Sequence, residues 1–156
     1  MRRNSSRSEE KTDRRRFVQL LKKCYFEEFV LLSDYLYYSL LFEREYEGLS
    51  EFFDTLARSR VDIFKGVGGM LLDFGENPQM NIQLRGRSVF GSAPWDICGE
   101  DVERAIKALV GAEKQTLSDY ERVMSLSEEE GIKNQVNRYI CGKRELIDKF
   151  ERMLAS

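Results

Sequence analysis

The stretch VERAIKALVGAEKQTLSDYERVMSLSEEEGIKNQVNRYICGKRELIDKFERML, residues 102–154, decides the fold. Apolar residues recur in it every three or four positions. They run Val102, Ile106, Leu109, Leu117, Tyr120 and Met124, then Ile132, Val136, Tyr139, Ile140, Leu146, Ile147, Phe150 and Leu154. That spacing marks one face of each of two amphipathic helices. Ser125-Leu126-Ser127 reads as the turn between them, with Ser127 as N-cap and Glu130 completing a capping box. The stretch is therefore a helical hairpin.

Upstream the pattern repeats. One helix carries Phe17, Leu20, Leu21, Cys24, Leu31, Leu32, Tyr35, Ser39 and Phe42 on its stripe. Another carries Leu49, Phe52, Leu56, Ile63, Val67, Met70, Leu71 and Phe74, then meets Gly75 and Pro78, a helix stop. Glu43 to Gly48 is a tight connection between these two. Pro78 and Pro94 bracket one irregular stretch, residues 77–99, before the third helix. Two short turns and one long crossover, between helices two and three, predict an all-α up-down four-helix bundle over residues 17–156. Residues 1–16 differ, with seven Arg or Lys against three Asp or Glu. They read as a basic flexible tail or a helix start.

Each stripe is interrupted once by a charge. Glu28 follows Cys24 at helical spacing, Arg60 follows Leu56, Glu113 follows Leu109, and Lys143 follows Tyr139 and Ile140. Two acids and two bases thus face the predicted core. In an antiparallel hairpin, residues at one level are equidistant from the turn. Glu28 and Arg60 flank the first turn symmetrically, and Glu113 and Lys143 the second, so all four are expected at one level. A buried carboxylate needs a partner, because desolvating it alone costs several kcal/mol or forces it to protonate. Tyr35 and Tyr120 each stand seven residues, two helical turns, after a glutamate. One of them is expected to hydrogen-bond a carboxylate.

On these residues the chain resembles the ferritin-like superfamily, particularly its rubrerythrin and manganese-catalase-like branches, from about Cys24 to Leu154. Glu28 to Tyr35-Leu36-Tyr37 looks like the first ligand helix, Leu56 to Ile63 the second, Glu113 to Tyr120 the third, and Arg138 to Phe150 the fourth. The resemblance implies a dinuclear metal site with one Glu from each of two helices and a Glu-x-x-His pair from each of the others. This chain departs from that pattern at the pairs. Arg60-x-x-Ile63 and Lys143-x-x-Leu146 stand where the acids and imidazoles belong, and the sequence contains no histidine at all. Hard and borderline metals would meet two carboxylates and two repelling cations. The expectation is a degenerate site, with Glu28, Arg60, Glu113 and Lys143 as its charge cluster and Tyr35, Ile63, Tyr120 and Leu146 as neighbours. No cofactor and no catalytic residue is expected.

The leading expectation is a non-catalytic protein, a pseudoenzyme, acting through self-association or a protein partner. Tyr25, Phe26, Tyr37, Tyr38, Phe42 and Tyr46 spread over more than one face of the first helix, as a homodimer or larger homo-oligomer would need. One alternative is a metal-binding or oxidoreductase protein with an unusual site, for which Asp34, Asp62 and Glu145 are the spare carboxylates. Another is a nucleic-acid-associated protein resembling miniferritins, using Arg2, Arg3, Arg14, Arg15 and Arg16. Net charge is only −2, so the molecule as a whole is not built around nucleic acid or an acidic membrane. No apolar run approaches the roughly 20 residues of a membrane span, and no signal peptide is evident, so a cytoplasmic location is expected. Three scattered cysteines, Cys24, Cys98 and Cys141, form neither a disulfide framework nor a zinc spacing. Lys65-Gly66-Val67-Gly68-Gly69 lacks the ending of a phosphate loop. Its glycines predict close approach by a neighbouring element instead.

Overall fold

A computed structural model describes residues 2–44, 46–79 and 99–156. Among these residues there are four helices: α1 Arg2–Leu41, α2 Glu47–Asp73, α3 Gly99–Leu126 and α4 Glu130–Ala155. None is long and apolar enough to cross a membrane. Lys23 meets Asp119 and Tyr35 meets Glu113, so α1 and α3 run antiparallel. Phe52 packs edge-on to Phe150, and Gly66 backs onto Tyr139, so α2 and α4 do too. With α2 returning along α1, the end of α2 and the start of α3 lie at opposite ends of the bundle. The connection between them, residues 80–98, lies outside the described residues together with Pro94 and Cys98.

Local chemistry explains the helix ends. Gly75 has φ +75°, a left-handed conformation that costs a glycine nothing. From there its N–H donates to the Leu72 carbonyl, and the Glu76 N–H reaches back to Leu71. The last carbonyls of α2 are thereby satisfied, in a Schellman arrangement. The predicted capping box does not form. Ser127 is buried, and its N–H donates to the Val123 carbonyl at 3.0 Å, which continues the ladder of α3. The residue capping α4 is Glu129, without a side-chain cap bond. Ser127 has been claimed by the preceding helix, two residues too early to serve the next.

The core falls into two apolar compartments. One holds Leu21, Cys24, Val67, Leu71, Val123 and Val136. The other holds Leu31, Phe42, Phe53, Leu109, Ile147 and Phe150. Complete burial of side chains such as Leu21, Phe53 and Phe150 contributes roughly 1.5–3 kcal/mol each. Two glycines of α2 let the first compartment close. A Cβ at Gly66 would collide with the Tyr139 hydroxyl from α4, and one at Gly68 would press on the Tyr25 ring at 3.2 Å. Gly69 has open space around it, and nothing in the structure explains it.

α1 is longer than its partners, at 40 residues against 26 to 28. The basic segment forms its first turns, and residues 5–16 are exposed. The Arg14 guanidinium lies 5.6 Å from the centre of the Phe74 ring, a cation–π contact that ties the arm to the end of α2.

Candidate functional site

Between the compartments lies a layer of charge. On α1 the order is Cys24, Glu28, Leu31; on α2, Ala57, Arg60, Val67; on α3, Val110, Glu113, Tyr120; on α4, Ile140, Lys143, Leu146. Glu28, Glu113 and Lys143 are 0 % exposed and Arg60 is 4 % exposed. All four helices thus deliver one charge to the same depth, each where the apolar stripe breaks.

Lys143 is the hub. Its Nζ lies 2.7 Å from Glu28 Oε1 and 2.7 Å from Glu113 Oε2. Arg60 Nη2 is 3.5 Å from Glu113 Oε1. Hairpin spacing alone would pair Glu28 with Arg60 across the first turn. The lysine instead takes both carboxylates, because its long stem reaches the middle of the layer. The tyrosines bond across the bundle, not along their own helices. Tyr35 of α1 donates to Glu113 Oε1 at 2.6 Å, and Tyr120 of α3 donates to Glu28 Oε1 at 3.0 Å. Arg60 also sits over the Tyr35 ring and Lys143 over the Tyr120 ring. Two atoms in the layer have no partner: Glu28 Oε2 and Arg60 Nε. Ile63 is half-buried against one compartment and Leu146 is buried in the other.

The electrostatics follow from this geometry. Burial alone would push the Glu113 carboxyl up. The charges of Lys143 and Arg60, with hydrogen bonds from Lys143 and Tyr35, outweigh it and hold the group below the usual carboxylate range. Arg60 would lose its proton more readily through burial, yet Glu113 and its neighbours hold it firmly charged. Tyr35 and Tyr120 are pushed well up, first by burial and then by the glutamates beside them, so both remain donors. The donor set does not fit a dinuclear metal centre. Two carboxylates are engaged by two fixed cations, and among the described residues no group of three or more His, Cys, Asp or Glu is placed to hold a metal ion.

A second polar cluster lies one step along both helices, and sequence reading missed it. Lys23 Nζ is 3.1 Å from Asp119 Oδ2 and 3.7 Å from Glu27 Oε1. The Asp119 side chain is 1 % exposed, that of Glu27 18 % and that of Lys23 50 %. Burial, then the hydrogen bond to Asp119, push Glu27 up to about 7. Asp119 would rise through burial, but its bonds to Glu27, Lys23 and Gln115 hold it below its ordinary value. Burial beside Asp119 thus favours the protonated form of Glu27. The sequence signal was Thr116-x-x-Asp119 flanking the α3 stripe, a row whose burial depends on how close α1 lies.

The other sequence candidates are scattered. Asp34 is half-buried, while Asp62 and Glu145 are exposed, and none joins the layer. Cys24 is buried, and burial with the acids around it holds its thiol far above its usual range, so it acts as a packing group. Cys141 is exposed. Arg14, Arg15 and Arg16 are exposed on α1, and the side chains of Arg2 and Arg3 lie outside the described residues.

No protein-family model matches the sequence, and no curated protein matches it. Among solved structures, the chain is similar to one described as ferritin like, diiron-carboxylate proteins from Bacillus anthracis. The TM-score is 0.74 over 91 % of this chain and 97 % of the other, at 13 % identity. The fold is ferritin-like. At that identity the likeness extends to the path of the helices, and the interior of this ferritin-like bundle has to be read from its own residues.

Proposed function

We propose that this chain is a ferritin-like pseudoenzyme, its interior neutralised by its own side chains, which acts by self-association or by binding a protein partner. The observation that carries this reading is Lys143 Nζ, set 2.7 Å from a carboxylate on each side. With Arg60 on Glu113, the two acids already have their counter-charges. An entering divalent ion would have to displace fixed cations from both. The exposed Phe26, Leu36, Tyr37 and Leu40 on α1 support the association part, since large aromatic and aliphatic groups on one helix face are typical of contact surfaces.

Elemental analysis tests the reading. After growth with iron and manganese, the purified chain is expected to carry no stoichiometric metal. A full dinuclear complement, or ferroxidase turnover, would sink it. The converse experiment combines Arg60→Glu, Ile63→His, Lys143→Glu and Leu146→His. That variant is expected to gain divalent-metal binding and a melting temperature that rises with metal. Without metal it should be less stable than the parent, because four carboxylates then crowd one layer.

A second reading has its own observation. Arg15, Arg16 and Arg122, none with a carboxylate partner among the described residues, line an open groove of about 530 Å³ between α1 and the end of α3. It favours contact with a polyanion such as nucleic acid. Retention on DNA should then weaken steeply with salt.

A further inference from the structure

The charge layer holds an amine against two carboxylates with water excluded, and one carboxylate oxygen there has no partner. We propose that Lys143 and Glu28 condense within the folded chain to form an amide, a covalent cross-link between α4 and α1. The proposal concerns the same layer as the reading above but does not depend on the layer being a former metal site.

Four features of the layer carry it. First, the Lys143 nitrogen and Glu28 Oε1 are 2.7 Å apart and fully buried, so the nitrogen is held at contact distance from the carboxyl group. Held contact of this kind replaces a bimolecular encounter with an intramolecular one. Second, Glu113 Oε2 lies 2.7 Å from the same nitrogen and is placed to take a proton from it. Third, the Tyr120 hydroxyl donates to Glu28 Oε1 at 3.0 Å, where negative charge develops during attack. Fourth, Glu28 Oε2 makes no hydrogen bond, so its departure breaks none.

The step balances without any outside reagent. One ammonium proton passes to Glu28, whose carboxyl group turns about its Cγ–Cδ bond so that the protonated oxygen takes the unpartnered Oε2 position, leaving an amine facing a carboxyl group. The Lys143 nitrogen attacks the Glu28 carboxyl carbon, and the new C–N bond forms as charge gathers on Oε1. A second proton passes from nitrogen to Glu113. The C–Oε2 bond then breaks, and the departing hydroxyl takes that proton from Glu113 and leaves as water. The third hydrogen stays on the amide. Glu28 is the electrophile rather than Glu113, because Glu113 is held as a carboxylate by Lys143, Arg60 and Tyr35 together. The product remains charge-balanced. A neutral amide replaces one buried ion pair and its desolvation cost, and Arg60 with Glu113 remains as the other.

Mass spectrometry of the intact chain, purified folded and aged at neutral pH, decides the matter. The expected mass is one water below that of the sequence. Trypsin should release a branched peptide joining the Glu28 and Lys143 segments, uncut after Lys143. Lys143→Arg keeps a cation in the layer but cannot condense in this way, so it should show the full sequence mass with native helix content by circular dichroism. Glu113→Gln should form the link at least tenfold more slowly. A folded parent that keeps its full mass after ageing would overturn the proposal. So would a water loss that persists in Lys143→Arg, or a Glu113→Gln variant that cross-links as fast as the parent.

Discussion

Glu27 and Glu28 are neighbours in sequence and differ in how they are neutralised. Glu28 points into the closed layer, where Lys143 lies at 2.7 Å and Tyr120 donates to the same oxygen. Glu27 points into the seam between α1 and α3, where its companions are another carboxylate, Asp119, and a half-exposed lysine. In the layer the acids are matched by buried cations on the facing helices. In the seam there is one cation for two acids, and burial beside Asp119 raises the Glu27 carboxyl. One hundred degrees of helix rotation therefore separates a charge balance fixed by sequence from one set by pH.

The widest break in this contrast comes from removing the hub. Lys143→Met leaves two buried carboxylates with one guanidinium between them, and should cost about 3–5 kcal/mol in urea denaturation, the range for breaking a buried pair. Replacing all four layer charges by apolar groups of similar volume, together with Tyr35→Phe and Tyr120→Phe, should cost much less than that, because nothing is then left unpaired. If Lys143→Met unfolds at the parent's midpoint, the layer is not energetically buried.

Smaller effects sharpen the comparison. Tyr35→Phe takes a 2.6 Å donor from Glu113 and should cost about 1.5–3 kcal/mol, the range for a hydrogen bond to a charged group. Its stability loss should change little between pH 5 and pH 8. Glu27→Gln should act in the opposite way. A carboxyl raised from 4.5 to about 7 in the fold gives stability that is full below 4.5 and lost as pH rises through about 7. Asp119, held below its ordinary 3.8, loses its contribution only at more acidic pH, so the two windows do not overlap. The amide variant should thus flatten the parent's stability decline between pH 4.5 and 7, and gain roughly 1–2 kcal/mol at pH 8. A parent whose melting temperature is flat across that interval would show that the seam holds no proton.

Much of this was legible in the sequence, and what was not has physical reasons. Four helices and the depth of Glu28, Arg60, Glu113 and Lys143 follow from apolar periodicity and hairpin spacing, which are backbone properties. The pairing within the layer does not, because a long flexible lysine side chain can bring its ammonium to carboxylates on two neighbouring helices at once. Gly66 and Gly68 could be read as places of close approach, though not as the seats of Tyr139 and Tyr25. Ser127 was misleading, since a Ser-x-x-Glu pattern cannot show that the preceding helix still needs the serine's N–H. Glu27 and Asp119 lay on the edges of their stripes, where burial is decided by the neighbouring helix.

The two apolar compartments are lined by much the same residue types, leucine, valine, isoleucine and phenylalanine. Greasy faces of that kind slide over one another with little penalty. The charged layer removes this freedom. A helix displaced by one turn would carry its charge about 5.4 Å along the axis, out of reach of its partner and into one of the apolar compartments. Each helix therefore has a single permitted register, and the same four side chains act as the bolt that fixes the alignment of the bundle.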